Sequence, residues 1–404
     1  MPTTLDYWFD YTCPYAYLGS VGVEALAART GLPLRWRPML LGGVFKAHDT
    51  PQRLFETLSP AKARHNAEDL QRQAARYGVT LVMPPSHPMR SVEALRATLA
   101  TGCDARVIHG FYRAYWVEGR PISERAVIAD VVRAAGHDVD AVLAAIETPA
   151  VKEALRAATD EAIALGVFGA PTYAYEGETW WGQDRADLVA FRVLGDAARA
   201  PEAPAAAPTG RTLEIYWDFS SPYAYLGAVQ AEALARSTGA TLVWRPMLLG
   251  GVFKAIGQVD VPLSTYPPPK QRHTGLDLER QAAYLGVPFR FPSRFPMNSV
   301  KALRAWLALP EPRRADFCAR TFRAYWGEDR DIADDAVLAA LIGDDADAVL
   351  ERSRSPEVKA ALHEATRRAV DAGVFGAPTW VVDSRELFWG QDRVPLVARA
   401  LSAR

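Results

Sequence analysis

The sequence has few cysteines, almost no net charge and no long apolar run. Three scattered cysteines in 404 residues do not suit a disulfide framework and favour a reducing compartment, for which the cytoplasm is the default. A formal net charge of −1 gives no electrostatic reason to expect nucleic acid or an anionic membrane surface as a partner. No segment approaches the ~18 apolar residues of a membrane span, and the N-terminus does not resemble a secretion signal. We expect a cytoplasmic protein without a metal site.

The chain contains one sequence twice. Residues 36–47, WRPMLLGGVFKA, recur letter for letter at 244–255, and DYTCPYAYLG at 10–19 matches DFSSPYAYLG at 218–227. The motifs RAYW, GVFGAPT and WGQDR also recur in the same order. A period of about 200 residues suits a domain and is far too long for a solenoid unit.

The duplication sets the predicted domain organisation. Residues 200–210 are rich in alanine and proline, which is typical of a semi-extended linker. We therefore predict domain one at 1–199 and domain two at 211–404.

The same order of elements is predicted in each copy. An apolar strand at 5–9 or 213–217 precedes a helix that starts at Pro14 or Pro222, and a second strand follows at 34–37 or 242–245. A largely helical region, 47–165 or 255–372, has apolar residues at 3.6-type spacing. A hairpin beginning at 172–175 or 379–382 and a last helix near Asp184 or Asp392 complete the copy. The pattern predicts an α/β fold with a large helical insertion.

The turn after the first strand is the first candidate site. Cys13 in one copy and Ser221 in the other stand directly before the proline that begins a helix. Unpaired N–H groups and the helix dipole favour an anion there by about 0.3–1 kcal/mol, and up to ~2 when partly buried. This effect predicts a lowered pKa for the Cys13 thiol, and it leaves Ser221 free to donate to another molecule's thiolate. A plain helix cap is the alternative.

The GVFGAPT motif is the second candidate site. It places Ala170-Pro171 or Ala377-Pro378 just before a strand. A cis proline there would turn the backbone N–H and C=O of the preceding alanine outward. These groups could then pair with an extended ligand as they would with a neighbouring strand. An ordinary proline turn is the alternative, and the motif alone does not decide against it.

The WGQDR motif is the third candidate site. Gln183-Asp184 and Gln391-Asp392 fall at the start of the last helix, where an acidic residue caps the helix or a ligand's charged end binds. Both interpretations remain open from the residues alone.

The motifs in combination resemble one family. D-F-x-S-P-Y-x-Y-L, R-P-x-x-L-G-G-x-F-K, F-P-x-N-S and W-G-x-D-R are similar to those of kappa-class glutathione transferases and 2-hydroxychromene-2-carboxylate isomerases. That family lies in the DsbA-like branch of the thioredoxin superfamily. The resemblance implies two tandem thioredoxin-like domains and a glutathione-dependent isomerase or transferase that acts on an aromatic or polycyclic small molecule.

The resemblance also implies roles for residues of the second copy. Ser221 would steady the glutathione sulfur, and Ala377 would offer its backbone beside cis-Pro378. The remaining cofactor-binding residues of this copy would be Gln391 and Asp392 at the γ-glutamyl end, with Gln258 and Lys270.

The first copy departs from the family pattern at three places. Its equivalent residues would be Cys13, Ala170, Pro171, Gln183, Asp184 and Lys62. Cys13 replaces the serine, Thr50 stands where relatives have asparagine, and Arg90 replaces Asn298. The activity of this copy is therefore the more doubtful of the two.

Two other functions remain open. Cys13 could serve a DsbA-like thiol–disulfide oxidoreductase, although Ala16 and Ala224 occupy the position of a resolving cysteine. Alternatively, one half is a non-catalytic binding domain. Because relatives tend to be dimers, we expect either a monomeric pseudo-dimer or a homodimer. The aromatic side chains Phe45, Trp116, Phe253 and Trp326 are candidates for an apolar pocket, with core packing as the alternative.

Overall fold

The computed structural model describes residues 3–201, 203–259 and 262–402. The outermost residues of the predicted domains, 1 and 404, and residue 202 of the predicted linker lie outside this part of the chain. No helix within it is both long enough and apolar enough to span a membrane.

The chain forms two compact units that are not simply its two halves. The first unit consists of Met1–Leu58, Ala67–Arg199 and Pro267–His273. The second consists of Ser59–Asn66, Ala200–Tyr266 and Thr274–Arg404. Each unit therefore includes one short segment from the opposite half of the sequence, which the predicted domain limits do not provide for.

The first copy contains a four-stranded mixed sheet. Its strands are β1 (Leu5–Phe9), β2 (Leu34–Pro38), β3 (Thr172–Tyr175) and β4 (Glu178–Trp181), in the order β2-β1-β3-β4. β1 pairs in parallel with β2 and antiparallel with β3, while β3 and β4 form the predicted hairpin. β1 is buried along its whole length, which explains why four of its five residues are apolar or aromatic. Its one acidic residue, Asp6, accepts from Arg35 at 2.7 Å.

Nine helices accompany this sheet in the described part of the first copy. They are α1 (Pro14–Thr30), α2 (Leu41–Ala47), α3 (Pro60–Tyr77), α4 (Val92–Ala100), α5 (Ala105–Trp116), α6 (Arg125–Ala134), α7 (Val139–Ala145), α8 (Pro149–Ala164) and α9 (Ala186–Leu194). Short 3-10 helices lie at Leu54–Thr57, Gln183–Arg185 and Gly195–Ala198. Pro14 occupies the first turn of α1, and Gly31, in the left-handed region at φ 70°, ends it.

The second copy repeats the architecture. β5 (Thr212–Trp217), β6 (Thr241–Pro246), β7 (Thr379–Val382) and β8 (Glu386–Trp389) form a sheet in the order β6-β5-β7-β8. Its helices are α10 (Pro222–Thr238), α11 (Leu249–Ala255), α12 (Pro268–Leu285), α13 (Val300–Ala308), α14 (Glu311–Trp326), α15 (Asp335–Ile342), α16 (Ala346–Ser353), α17 (Pro356–Asp371) and α18 (Val394–Ser402), with 3-10 helices at Pro262–Thr265 and Gln391–Arg393. The predicted α/β class and the helical insertion between the parallel pair and the hairpin are confirmed.

Aromatic packing joins the sheet of the second copy to its helical insertion. The Trp217 ring on β5 lies 5.7 Å from Phe322 and 5.5 Å from Trp306, centroid to centroid. Trp326 is fully buried and donates its indole N–H to the Phe219 carbonyl at 2.9 Å. Trp116 makes the same bond to Tyr11 in the first copy. These two tryptophans are fully buried core residues. Phe253 is also buried.

Glycine permits a close approach between α10 and the loop before β7. A Cβ at Gly227 would lie 2.8 Å from Cγ of Pro378, which is closer than real side chains come, and 3.0 Å from its Cβ, which is tight. The helix that begins at Ser221 can therefore pack directly on Pro378.

We predict that Gly227→Ala destabilises the protein by about 1–3 kcal/mol, because the added methyl overpacks this contact. Gly275→Ala is the matched control, since nothing lies within 4 Å of its added Cβ and alanine favours a helix interior by about 0.5–1 kcal/mol. Urea unfolding followed by tryptophan fluorescence measures both variants. Equal stability of the two would contradict the close packing.

Candidate functional site

A buried carboxylate ties together the segments around Ser221. Asp218, at the end of β5, is fully buried and accepts from the N–H of Ser220 at 3.0 Å and of Leu249 at 2.7 Å. The Ser299 hydroxyl donates to it as well. Burial raises the pKa of Asp218, and these hydrogen bonds oppose that rise. One side chain thus fixes the end of β5, the start of α11 and the start of α13 relative to one another.

The first copy has the same arrangement around Cys13. Asp10 is buried and accepts from the N–H of Thr12 at 3.0 Å and of Leu41 at 2.9 Å. The Ser91 hydroxyl also donates to it, and burial raises the pKa of Asp10. The turn geometry is therefore common to both copies.

Ser221 is at once a helix cap and the neighbour of the GVFGAPT loop. Its Oγ accepts from the N–H of Ala224 at 3.1 Å and donates to the carbonyl of Ala377 at 3.1 Å. The side chain is 5% exposed. The Ala377–Pro378 peptide bond is cis, as the resemblance implies. The cap is therefore real, and the structure also brings Ser221 next to Ala377.

Cys13 occupies the equivalent place without acting as a cap. Its side chain makes no cap hydrogen bond. The thiol donates to the carbonyl of Ala170 at 3.0 Å, and the Ala170–Pro171 bond is also cis.

The predicted lowering of the Cys13 pKa is wrong. Burial raises the pKa of this thiol to about 12, and the nearby carboxylate of Asp10 adds to the rise. The N–H groups of Ala16 and Tyr15 at the helix start lower the pKa as expected, but their effect is smaller. Cys13 is a neutral donor at physiological pH, because desolvation of the thiolate outweighs the helix terminus.

The Gln-Asp pair of the second copy begins a 3-10 helix after Gly390, whose φ is 118°. Gln391 is buried and donates through Nε2 to Oε1 of Gln281 at 2.8 Å. Gln281 in turn donates to Asp277 at 2.6 Å. The side-chain amide of Gln391 is thus committed to a buried relay. Neither Gln281 nor Asp277 was predicted, since both lie in an ordinary amphipathic helix.

Asp392 is the more accessible residue of the pair. Its side chain is 20% exposed, and Oδ1 lies 2.9 Å from Nη1 of Arg393. Asp184 pairs with Arg185 at the same distance in the first copy. These carboxylates sit beside the start of the last helix, as the motif predicts.

The relay of the second copy is not reproduced in the first. Gln183 and Gln73 are both buried. Within the described residues, Nε2 of Gln183 and both amide atoms of Gln73 have no hydrogen-bond partner. The two copies therefore differ in this polar network as well as at position 13 or 221.

The predicted lysines lie in the opposite units, which corrects the sequence-based assignment. Lys62 was expected in the first site, but its Nζ lies 4.8 Å from the ring centroid of Trp389. Lys270 was expected in the second site, but its Nζ lies 5.3 Å from the ring of Trp181. The reason is that residues 59–66 pack in the second unit and residues 267–273 in the first. Burial lowers the pKa of Lys62.

A histidine one helical turn beyond each lysine was missed. His65 accepts from the backbone N–H of Trp389 at 3.1 Å, and His273 accepts from that of Trp181 at 3.4 Å. The signal was present as Pro-x-Lys-x-x-His in both copies, because residues three apart share a helix face.

The other implied residues serve local turns. The N–H of Gln258 donates to the Phe253 carbonyl at 2.9 Å, and its half-buried side chain follows α11. Asn298 accepts from the N–H of Val300 at 3.0 Å. Its counterpart Arg90 points outward and pairs with Glu93.

Comparison with known proteins establishes the family. The family model for the DSBA-like thioredoxin domain matches residues 4–193 and again 212–402. The chain belongs to this family and carries two copies of its domain, which confirms the sequence-based recognition and the predicted fold.

The relatives include both enzyme groups suggested by the motifs. A 2-hydroxychromene-2-carboxylate isomerase of Sphingobium xenophagum is 30% identical over 48% of this chain and 100% of the relative. Glutathione S-transferase kappa 1 of Homo sapiens is 29% identical over 49% of this chain and 93% of the relative. A solved 2-hydroxychromene-2-carboxylate isomerase structure, 27% identical, aligns with 47% of this chain and 94% of its own at a TM-score of 0.43. The two relatives compared by sequence support an enzymatic role in general.

We predict that Cys13 reacts slowly with iodoacetamide. A pKa near 12 in place of 9.0 lowers the thiolate fraction at pH 8 roughly 10³-fold. Peptide mass spectrometry should show that Cys13 is labelled at least about 100-fold more slowly than in the urea-unfolded chain. The labelling rate should keep rising with pH up to the highest pH at which the protein stays folded. A rate that levels off below pH 9 would contradict the buried neutral thiol.

We predict that Asp218→Asn destabilises the protein by about 1–3 kcal/mol. An amide cannot accept at both oxygen positions, so one buried N–H of Ser220 or Leu249 loses its partner. The control is Asp316→Asn, an exposed residue paired with Arg320, for which a change within about 0.5 kcal/mol is expected. Urea unfolding midpoints of the two variants test this prediction. Equal midpoints would contradict the role of Asp218 in fixing the three segments.

Proposed function

We propose that the chain is a glutathione-dependent enzyme, either a 2-hydroxychromene-2-carboxylate isomerase or a kappa-type glutathione transferase. The substrate would be an aromatic or polycyclic small molecule. The observation that carries the proposal is the 3.1 Å bond from Ser221 Oγ to Ala377 O, at the N-terminus of α10. It brings together the hydroxyl and the backbone that the family resemblance assigns to glutathione. The names of the relatives support the same chemistry.

The residues present suit a zwitterionic thiol peptide. Ser221 offers a hydroxyl donor beside a helix N-terminus, which favours a thiolate. Lys62 in the second unit offers a cation for a carboxylate, and Asp392 offers an anion for an ammonium group. Lys62 replaces Lys270 in this assignment, because the latter lies near Trp181. We propose Ala377, Pro378, Gln391 and Gln258 as the remaining binding residues. The hydrogen bond from Gln391 to Gln281 would hold Gln391 in place.

Ser221 would act by holding negative charge on the sulfur. Glutathione, held by Ser221, Ala377 and Lys62, would supply a nucleophilic thiol for addition to a conjugated substrate. The Ser221 hydroxyl must turn from Ala377 O to donate to that sulfur. A hydrogen bond to a charged group is worth about 1.5–3 kcal/mol, and the helix terminus adds about 0.3–1 kcal/mol. Together these match the ~2.7 kcal/mol needed to lower a thiol pKa by two units.

The second unit is the better candidate for turnover. A thiol is a weaker hydrogen-bond donor than a hydroxyl, so Cys13 is a poorer support for a bound thiolate than Ser221. The raised pKa of Cys13 and the missing resolving thiol also weigh against a thiol–disulfide oxidoreductase. The three unpaired cysteines are consistent with a reducing cytoplasm, where glutathione is abundant.

We predict that Ser221→Ala lowers glutathione-dependent turnover about 10–100-fold, which corresponds to one lost charge-assisted hydrogen bond. The assay follows isomerisation of 2-hydroxychromene-2-carboxylate at saturating glutathione, and calorimetry reports glutathione binding. Ser237→Ala on the same helix is the control, since its hydroxyl donates to the Leu234 carbonyl within that helix. Unchanged turnover in Ser221→Ala would remove the proposed role of the hydroxyl.

A further inference from the structure

Each unit contains a helix tip from the opposite half of the sequence. In the second unit the tip is Ser59–Asn66, and in the first it is Pro267–His273. Both tips carry the pattern Pro-x-Lys-x-x-His, which places the lysine and the histidine on one face of the helix.

In the second unit the histidine reaches the candidate site through one aromatic neighbour. His65 Nε2 accepts from the N–H of Trp389 at 3.1 Å, and its ring lies 5.4 Å from that of Phe375. The Trp389 indole covers Gly376, where an added Cβ would overlap the indole nitrogen. Gly376 directly precedes Ala377, whose carbonyl accepts from Ser221.

The first unit repeats this chain of contacts. His273 Nε2 accepts from the N–H of Trp181 at 3.4 Å, and its ring lies 5.3 Å from that of Phe168. The Trp181 indole covers Gly169 in the same way. Ala170 follows and accepts from the thiol of Cys13.

The two histidines hold the loops at both ends of the site. The strand residue that donates to each histidine is followed by the Gly-Gln-Asp-Arg turn. The phenylalanine ring that each histidine meets edge-on precedes the cis-proline loop. Loss of the acceptor would leave a half-buried N–H unpaired and would release the indole from the glycine.

We infer that each half of the sequence supplies a positioning residue to the other half's site: His65 acts on the Ser221 site and His273 on the Cys13 site. The lysine of each tip contributes a cation against the same indole. For the Ser221 site this inference rests on the proposed function. For the Cys13 site the inference rests on the geometry alone. The reactivity of the Cys13 thiol provides the readout, so no enzymatic activity is needed to test it.

The first experiment follows Cys13 alkylation by iodoacetamide in the full-length protein at pH 8. His273→Leu should raise the labelling rate of the Cys13 peptide at least about 5-fold, because the loop that accepts from the thiol is no longer held. His273→Gln, which keeps an acceptor, should restore slow labelling. His65→Leu is the matched control and should leave the Cys13 rate unchanged.

A merely unfolded variant is recognised in the same samples. Cys318 is fully buried in the second unit and Cys103 is half-buried in the first. Faster labelling of Cys318 reports unfolding of the second unit, and faster labelling of Cys103 reports unfolding of the first. If His273→Leu does not fold, His273→Asn and Lys270→Met are measured instead. An unchanged Cys13 rate, or an equal rise in His65→Leu, would overturn the crossed assignment.

The second experiment measures glutathione-dependent turnover. His65→Leu should raise the KM for glutathione about 3–10-fold with a smaller change in kcat, and His65→Gln should recover most of the loss. His273→Leu should have no such effect. The reverse pattern would overturn the inference. If the unmodified protein shows no glutathione-dependent turnover, the proposed function fails, and the Cys13 labelling alone decides the inference.

Discussion

The architecture around both candidate sites depends on a buried carboxylate at the end of the first strand. Asp218 and Asp10 are placed where a charge is costly, and the surrounding N–H groups and hydroxyls offset that cost only if they all point to one place. Three segments far apart in sequence must therefore converge on each aspartate. The turn that follows inherits its geometry from this convergence, and so does the position of Ser221 or Cys13. The helix cap, the cis-proline loop and the aromatic core are arranged around this buried aspartate, whose hydrogen bonds allow little change in geometry.

The two copies show what this buried aspartate does and does not determine. The backbone of the turn is the same, yet the side chain beside the alanine carbonyl is a hydroxyl in one copy and a thiol in the other. Both donate to that carbonyl, at 3.1 Å and 3.0 Å. Because burial keeps the thiol protonated, Cys13 donates to this carbonyl as a neutral group, as Ser221 does. At this position the copies differ in the strength of the hydrogen-bond donor, because a hydroxyl donates more strongly than a thiol.

The sequence predicted the elements well because each carries a local signal. The apolar run of β1, the proline at the start of α1 and the glycine at its end are all visible without any tertiary information. The Cys13 pKa was wrong because the helix terminus is a local feature, whereas desolvation depends on everything that packs above the thiol. Lys62 and Lys270 were assigned to the wrong units for a related reason. A lysine and a histidine on one helix face indicate that this face contacts another part of the protein. The spacing does not indicate which of the two similar copies of the domain it contacts. The Gln391–Gln281–Asp277 relay was missed because amides and acids in amphipathic helices are usually solvated.

The pattern of differences between the copies bears on why they are joined in one chain. Positions 13 and 221, 50 and 258, and 90 and 298 have diverged. The Pro-x-Lys-x-x-His tips have not. If each tip acted on its own half, divergence of the first site would have released the first tip from constraint. If each tip serves the opposite site, the tip of the first half is under constraint from the Ser221 site, because that tip supplies His65. The tip of the serine half remains because its partner still needs the same fold. A covalent tandem then ensures that both tips are always present together, which two separate single-domain chains of unequal sequence would not.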